Sequence, residues 1–269
     1  MPFGSASSSL AEGTKITMIK FHFTFDKNIK AQDLKKKFFV KYKNSSPKTA
    51  DIIIVAGGDG FMLNSLKKYA KFKKPFYGIN CGSFGFLMNK YTDKNLEKKI
   101  ISSKKVLIKP LVIKVKKKKA ILAINEVSLF RQGRQTATLN LKIGKKEIIK
   151  KLIGDGILVS TPAGSTAYNL SVNGPVLSLN SSKLAVTPIS PFRPRRWRGK
   201  LTSNKQQIKI TNLDPIKRPV AAVADNIEIR NVKFINIKIS KKIIFCLLYE
   251  KSRSLVKRIR LEQIRQKYN

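Results

Sequence analysis

The stretch DIIIVAGGDGFMLNSLKKY, residues 51–69, joins an apolar run to an amphipathic segment through a turn that holds one acid between glycines. An unbroken apolar run is typical of a strand that is buried on both faces of a parallel sheet. The residues after the turn share one helical face: Phe61, Met62, Ser65, Leu66 and Tyr69. The stretch therefore predicts a strand, a turn and a helix in an α/β sheet.

The rest of the chain divides by the period of its apolar residues. Up to about Ile101, short apolar runs such as KPFYGINCG alternate with amphipathic segments, which predicts an α/β, Rossmann-like domain over residues 1–101. After Val106 the period becomes two, which predicts a mostly-β domain over residues 102–250. Helical spacing returns in residues 251–269, and we expect a C-terminal helix there that packs back on the first domain.

The charge balance is strongly basic. The 269 residues include 56 Lys and Arg against 15 Asp and Glu, a formal net charge of +41. Such a field attracts polyanions, whether nucleic acid, nucleotide phosphates or an anionic membrane surface. Because the lysines are spread along the whole chain, solvated Lys-rich faces without a partner explain the charge equally well.

Several classes of protein are excluded by composition. Cys81 and Cys246 lie far apart and His22 is the only histidine, which excludes a CxxC-type zinc site, a disulfide framework and a histidine base. No apolar run approaches the length of a membrane span. The start, MPFGSASSSLAEG, lacks the order of a signal peptide, and we expect a cytoplasmic protein.

The turn Gly57-Gly58-Asp59-Gly60 is the first candidate site. Glycines allow a ligand to approach the backbone closely, and the free N–H groups at a helix start bind phosphate oxygens. The alternative is that Asp59 only caps the helix. A second glycine cluster, GINCGSFGFL, follows the next strand and is expected to form another wall of the same crevice.

Two further segments hold polar residues in apolar surroundings. AINEVSLFR predicts a strand that contains Asn125 and Glu126, so at least one of these side chains must find a partner or reach a cleft; an edge strand with one wet face is the alternative. In GDGILVSTPAGSTAYNLSVNGP, residues 157–160 predict a strand, and Ser165 and Thr166 offer an N-cap for a helix that begins near Ala167.

These motifs, in the order GGDG, GINCGSFGFL, NE, GDG and TPAGSTAYNLS, resemble those of the NAD kinase family. The resemblance covers the chain from about Lys15 to Glu250, and TPAGSTAY is its most specific part. It implies the two-domain NAD-kinase fold and transfer of the γ-phosphate of ATP to the 2'-hydroxyl of the adenosine ribose of NAD. It also implies Mg²⁺ held mainly by the ATP phosphates, with no metal ligand from the protein, and a homo-oligomer, either a dimer or a tetramer.

The resemblance also implies roles for individual residues. Asp59 would be the general base, and Gly57, Gly58 and Gly60 would bind the phosphates of ATP. The NAD site would consist of Asp59, Gly60, Asn64, Asn125, Glu126, Asp155, Ala163, Thr166, Ala167, Tyr168, Asn169, Leu170 and Ser171.

Two departures from the family pattern affect this assignment. Ala163 stands where many members carry Thr or Ser, so one hydroxyl contact is absent. ADNIE replaces an Asp-Gly-Gln turn, so Asp225 is a possible site residue while a glutamine contact is lost at Ile227.

Other partners and activities remain open at this point. A lipid kinase of the diacylglycerol or sphingosine type shares the glycine-acid-glycine turn, but the hydroxyl-rich segment argues against it. A nucleic-acid-binding protein would explain the charge and leave Asp59 and Asp155 unexplained, and we expect neither a nucleic-acid partner nor a membrane partner. The arginines at 193, 195, 196 and 198 surround Trp197 in a loop that could bind nucleic acid or the phosphates of a nucleotide. An oligomer interface or a solvated turn is the alternative.

Overall fold

The structure is a computed structural model that describes residues 19–82, 85–92, 95–115 and 120–250. Its strands are β1 Phe21–Phe25, β2 Ile52–Gly57, β3 Phe76–Asn80, β4 Asn89–Lys90, β5 Lys104–Ile108, β6 Leu111–Lys114, β7 Ile121–Ala123, β8 Glu126–Arg131, β9 Ala137–Ile143, β10 Lys146–Gly154, β11 Gly156–Ser160, β12 Lys183–Ile189, β13 Lys200–Ser203, β14 Ile208–Asn212, β15 Val220–Ala224, β16 Ile227–Ile229, β17 Phe234–Ile239 and β18 Phe245–Tyr249. Its α-helices are α1 Ile29–Lys41, α2 Asp59–Tyr69, α3 Leu96–Ile101 and α4 Tyr168–Ser171, and 3₁₀ turns lie at Ala70–Phe72 and Ala163–Thr166.

The first sheet confirms the predicted strand, turn and helix. Its strand order is β1-β2-β3-β18-β5, with β4 paired to β3. Every residue of β2 is buried because the strand has a helix on each side. Its alternate residues enter two different cores, Ile52 and Ile54 with Leu34 of α1, and Ile53 with Met62 of α2. The side-chain alternation of a strand thus explains why this run contains no polar residue.

The second half of the chain forms two antiparallel sheets, which confirms the mostly-β prediction. One has the order β10-β9-β14-β17-β6-β7 and the other β13-β12-β11-β8-β15-β16. Leu139 and Ile210 of the first and Leu129 and Ile157 of the second belong to a single apolar core. The two sheets therefore pack face to face, as expected where apolar and polar residues alternate along each strand.

Sheet membership does not follow the predicted division at residue 101. Strands β5 and β18 lie within residues 102–250, yet β5 pairs antiparallel with β18, and β18 pairs parallel with β3. A period of two predicts a strand but does not identify its partner, and these two strands complete the α/β sheet. The domain boundaries at 101 and 250 stay a prediction, and the helix expected at 251–269 lies outside the described residues.

The sequence contains no apolar run as long as a membrane span, and the helices of the described residues can be compared with this prediction. None of these helices is both long enough and apolar enough to cross a bilayer.

Candidate active site

Asp59 lies where β2 ends and α2 begins. Gly58 is the N-cap of α2, and no side chain of the described residues caps this helix start, so the alternative that Asp59 caps the helix is wrong. Its carboxylate instead accepts hydrogen bonds from the backbone N–H groups of Phe86 at 2.7 Å and Leu87 at 2.9 Å. Two donors on two oxygens fix the plane of the carboxylate.

The donors to Asp59 belong to the second glycine cluster. The N–H of Cys81 also donates to Gly57 O at 2.9 Å, and the Tyr249 hydroxyl donates to Phe86 O. The loop after β3 thus lies directly against the turn after β2. Both glycine clusters therefore lie side by side at the carboxyl edge of the sheet, where ligands of such folds bind, and their role as two walls of one crevice stays a prediction.

The glycines of the first turn differ in the space around them. A Cβ on Gly57 would lie 2.8 Å from the Phe61 ring, so the residue packs against its own helix. A Cβ on Gly58 or Gly60 would meet no atom within 4 Å in the part of the chain that the structure describes. Gly58 has an ordinary φ of −99°, so its backbone does not require glycine. Open space beside a helix start suits a ligand whose phosphates approach the backbone closely.

The sequence predicted one continuous strand through Asn125 and Glu126, and the structure has two strands there. Strand β7 ends at Ala123, β8 begins at Glu126, and a bend separates them. The reason is the Asp225 carboxylate, which accepts hydrogen bonds from Ile124 N and Asn125 N, each at 2.8 Å. These backbone groups therefore bind a side chain instead of a neighbouring strand.

Asn125 and Glu126 each have a buried side-chain oxygen that accepts no hydrogen bond from the described residues. These oxygens are Asn125 Oδ1 and Glu126 Oε2. Burial, with the nearby Asp225 carboxylate, raises the pKa of Glu126 from 4.5 to about 8. Buried oxygens of this kind are usually satisfied, so these two identify a place where a polar ligand would bind.

Glu126 opens into a small cleft of about 230 Å³. Its lining residues are Glu126, Ser128, Phe130, Tyr168, Val223 and Asp225. The cleft therefore unites Glu126 and Tyr168, two predicted NAD contacts, with Asp225, the possible site residue. Tyr168 is 38% exposed, and burial, Asp155 and Glu126 all raise its pKa.

The TPAGSTAY segment begins as predicted and then departs from the prediction. Strand β11 covers the predicted residues 157–160. A 3₁₀ turn follows, and α4 has only four residues and no side-chain cap, so the N-cap role of Ser165 and Thr166 is wrong. The Ser165 hydroxyl donates to Pro162 O at 2.8 Å and accepts from Leu177 N at 3.0 Å. The Ser165 hydroxyl thus connects the loop at Pro162 with the loop at Leu177 through hydrogen bonds.

The other predicted contacts in this segment lie in different environments. Asn169 is fully buried, donates to Pro175 O at 3.0 Å and accepts from the Thr187 hydroxyl at 2.7 Å. Ala163 is buried in the apolar core around α2, and Thr166 is also buried. Ala167 and Leu170 are half-buried, whereas Asn64 and Ser171 are exposed.

Backbone contacts bring this segment against the Asn125 bend. Thr161 N donates to Asn125 O at 2.9 Å, and the Thr161 hydroxyl donates to Ile124 O at 2.7 Å. A Cβ on Gly164 would overlap the backbone of Asn125, so only glycine allows this approach. Two motifs that are about 35 residues apart in sequence thus form one surface.

The sequence predictions missed two basic residues beside the predicted acids. Arg131 Nε donates to Asp155 Oδ1 at 2.5 Å. Lys67 Nζ lies 2.8 Å from Asp225 Oδ2. Antiparallel pairing of the AINEVSLFR and GDGILVS strands would have indicated the first contact, but no sequence pattern indicated the second, which joins α2 to a turn in the other half of the chain.

The arginine-rich loop borders the end of the TPAGSTAYNLS segment. A cleft of about 760 Å³ is lined by residues that include Ser171, Asn173, Arg196, Trp197 and Arg198. The arginines are exposed and Trp197 is half-buried. The loop therefore shares a cleft with one predicted NAD contact, Ser171. Asp59 is not among the residues that line this cleft.

The fold and this site combine two features. A glycine-acid-glycine turn lies at the carboxyl edge of an α/β sheet, and a polar cleft lies on one of the two antiparallel sheets.

Comparisons with known proteins identify the family. Residues 10–101 match the ATP-NAD kinase N-terminal domain, and residues 124–243 match the ATP-NAD kinase C-terminal domain. The chain is 41% identical over 255 residues to the NAD kinase of Brucella suis biovar 1 (strain 1330), covering 93% of this chain and 99% of that protein. It is 46% identical over 220 residues to the NAD kinase of Rhizorhabdus wittichii, covering 80% of this chain and 86% of that protein. The chain belongs to the ATP-NAD kinase family and is an enzyme that phosphorylates NAD.

Solved structures agree with the fold. The crystal structure of yeast NADH kinase complexed with NADH gives a TM-score of 0.70 at 22% identity and covers 81% of this chain and 68% of that chain. An NAD kinase from Archaeoglobus fulgidus in complex with ATP gives a TM-score of 0.67 at 23% identity, covering 90% of this chain and 98% of that chain. At these identities the likeness establishes the shared two-domain fold.

Proposed function

We propose that Asp59 is the general base of this NAD kinase and takes the proton of the 2'-hydroxyl of the adenosine ribose as the γ-phosphate of ATP is transferred. A ribose hydroxyl is a poor nucleophile at neutral pH, so transfer needs a base close to it. The observation that carries the proposal is the position of Asp59. Its carboxylate is oriented by Phe86 N and Leu87 N beside the open space at Gly58 and Gly60.

The glycine turn would bind the phosphates of ATP. Gly57 ends the strand, while Gly58 and Gly60 leave the backbone at the start of α2 accessible. N–H groups at a helix start stabilise negative charge without needing a basic side chain. A γ-phosphate bound here would lie beside Asp59, as an in-line transfer requires.

NAD would bind between α2 and the antiparallel sheets. The unused oxygens of Asn125 and Glu126 would accept hydrogen bonds from NAD, and the partly exposed ring of Tyr168 would pack on it. A carboxyl group with a pKa near 8 also donates a hydrogen bond at neutral pH. The remaining residues proposed for the pocket are Gly60, Asn64, Asp155, Ala163, Thr166, Ala167, Asn169, Leu170 and Ser171.

Mg²⁺ is the proposed metal. Among the described residues no group of three or more His, Cys, Asp or Glu side chains is arranged to hold a metal ion. The ion would be held mainly by the phosphates of ATP, because Mg²⁺ is commonly bound through substrate phosphates and water. When bound, it would neutralise phosphate charge, while orientation and proton removal remain with the protein.

A homo-oligomer in the cytoplasm completes the proposal. The family resemblance supports a dimer or a tetramer. The exposed arginine loop, with Phe192 53% exposed, offers one surface for a second subunit. Light scattering of the purified protein would measure the subunit number.

The test of the proposed mechanism is NADP formation from NAD, ATP and Mg²⁺ by the parent protein and by Asp59→Asn. The substitution keeps the shape of the side chain and removes the base, so turnover should fall by about two to four orders of magnitude. NAD binding, measured by calorimetry, should survive. Loss of NAD binding with unchanged turnover would overturn the assignment of Asp59 as the base.

A further inference from the structure

The proposed base and the proposed NAD contacts come from distant parts of the chain. Asp59 begins α2, whereas Asn125 and Glu126 lie between and within strands of an antiparallel sheet. In-line transfer tolerates little misplacement, since an error of about 1 Å costs roughly a hundredfold in rate. The structure must therefore hold α2 and the Asn125 bend in a fixed relation.

Asp225 contacts both parts. It lies in the turn between β15 and β16 with a φ of +51°, a left-handed conformation that a non-glycine residue seldom adopts. Its carboxylate accepts from Ile124 N and Asn125 N at 2.8 Å each. The same carboxylate lies 2.8 Å from Lys67 Nζ, which comes from α2.

The ion pair is enclosed. The Lys67 and Asp225 side chains are 19% and 4% exposed. Burying an ion pair costs desolvation energy, so such a pair adds little net stability compared with apolar residues of similar size. Lys67 Nζ contacts Asp225 as an ion pair and forms no hydrogen bond of good geometry among the described residues. The geometric effect of the pair is larger, because its carboxylate also accepts two backbone N–H groups and so joins three parts of the chain at one point.

We propose that Lys67 is a positioning residue, which, by binding Asp225, holds the Asn125 bend in register with the helix that carries Asp59. Lys67 lies eight residues after Asp59, roughly 12 Å along α2, so it does not reach the reacting atoms from this position. Its effect passes through Asp225 to the backbone of Ile124 and Asn125. This inference rests on the proposed role of Asp59 as the base.

Lys67→Met tests the proposal, because methionine keeps most of the apolar stem and removes the charge. With ATP saturating and NAD varied, we expect kcat to fall tenfold or more and the KM for NAD to change less than twofold. Lys67→Arg should recover most of the loss because it restores a cation. Lys68→Met is the matched control, since Lys68 is the exposed neighbour on the same helix, and it should match the parent.

A double-mutant cycle separates positioning from general destabilisation. Asp225→Asn removes the charge and keeps an acceptor oxygen for only one of the two backbone N–H groups, and adding Lys67→Met to it should lower kcat no further. A parent-like kcat in Lys67→Met would overturn the proposal. So would a fall in kcat that is matched by an equal rise in the KM for NAD, or that arginine does not recover.

Hydrogen exchange distinguishes failure of this inference from failure of the proposed function. Exchange at the amides of Ile124 and Asn125 should be at least tenfold faster in Lys67→Met, and this is measured without turnover. Faster exchange with a parent that makes no NADP would support the positioning role and overturn the proposed reaction. An active parent whose variant shows unchanged exchange would overturn the positioning role alone.

Discussion

The turn after β2 and the turn between β15 and β16 each contain an aspartate that binds two backbone N–H groups, but the surroundings of the two aspartates differ. Asp59 and Asp225 each accept two backbone N–H groups from a segment that is remote in sequence. Asp59 lies beside two glycines with open space around them, whereas Asp225 is 4% exposed and paired with Lys67. The two carboxylates therefore share their backbone hydrogen bonding and differ in the glycines that flank Asp59 and in the lysine that is paired with Asp225.

Removing the enclosed carboxylate should have the largest effect on stability. Asp225→Ala leaves the Lys67 ammonium and two backbone N–H groups without their acceptor, and loss of one partner of a buried pair costs about 3–5 kcal/mol. Urea unfolding, followed by fluorescence of Trp197, measures the change in the free energy of unfolding.

Asp59→Ala is the matched comparison for that loss. Water reaches the more open turn and replaces part of the lost hydrogen bonding, so we expect a loss below about 2 kcal/mol. Equal losses in the two variants would contradict the distinction between an open turn and an enclosed turn.

Filling the open space at the first turn should affect activity and leave stability unchanged. A Cβ on Gly58 would meet no atom of the described residues within 4 Å, and the φ of −99° suits valine. If phosphates occupy this space, Gly58→Val should lower kcat/KM for ATP by about tenfold to a hundredfold. Steady-state kinetics at saturating NAD would measure this change.

Gly133→Val provides the control for that variant. A Cβ on Gly133 would also meet no atom of the described residues within 4 Å, and Gly133 lies in an exposed loop after β8, so the activity of this variant should equal that of the parent. Full activity in Gly58→Val would mean that the open space is not a phosphate site.

The smallest expected effect is on the pH dependence of stability at Glu126. Its pKa of about 8 in the folded protein exceeds the ordinary 4.5, so the folded state keeps a proton that the unfolded state loses. The stabilisation is complete below about pH 4.5 and is lost as pH rises to about 8. The glutamine in Glu126→Gln does not titrate. The melting temperature of this variant should therefore rise relative to that of the parent as the pH increases across this range.

Glu228→Gln controls for the loss of any acid near this position. Glu228 lies on β16, and its side chain is 51% exposed and paired with Arg230. Its melting curve should run parallel to that of the parent from pH 5 to pH 8. Parallel curves for Glu126→Gln as well would show that neither burial nor Asp225 disfavours the Glu126 carboxylate in solution.

Most of the elements around the site were predictable because they depend on local pattern. The run before Gly57 predicted a doubly covered strand, and the apolar spacing of residues 61–69 predicted the buried face of α2, where Met62, Leu66 and Tyr69 are buried. The motif order predicted the family, which the comparisons confirmed.

The predictions failed where a distant group determined the local structure. The bend at Asn125 exists because Asp225, a hundred residues away, takes two of its N–H groups. Ser165 does not cap a helix because its hydroxyl joins Pro162 to Leu177. In each case at least one hydrogen-bond partner, Asp225 or Leu177, lies outside the short motif from which the prediction was made.

By itself, the sequence determined the α/β and mostly-β halves, the glycine turns and the identity of the acids, because strand and helix periods and turn residues act over a few neighbours. Only the tertiary structure decided that β5 and β18 complete the first sheet and that Lys67 meets Asp225. It also decided that space lies open beside Asp59 while Asp225 is enclosed. Burial and long-range pairing depend on how whole sheets and helices pack, so they cannot be predicted from any short stretch of this chain.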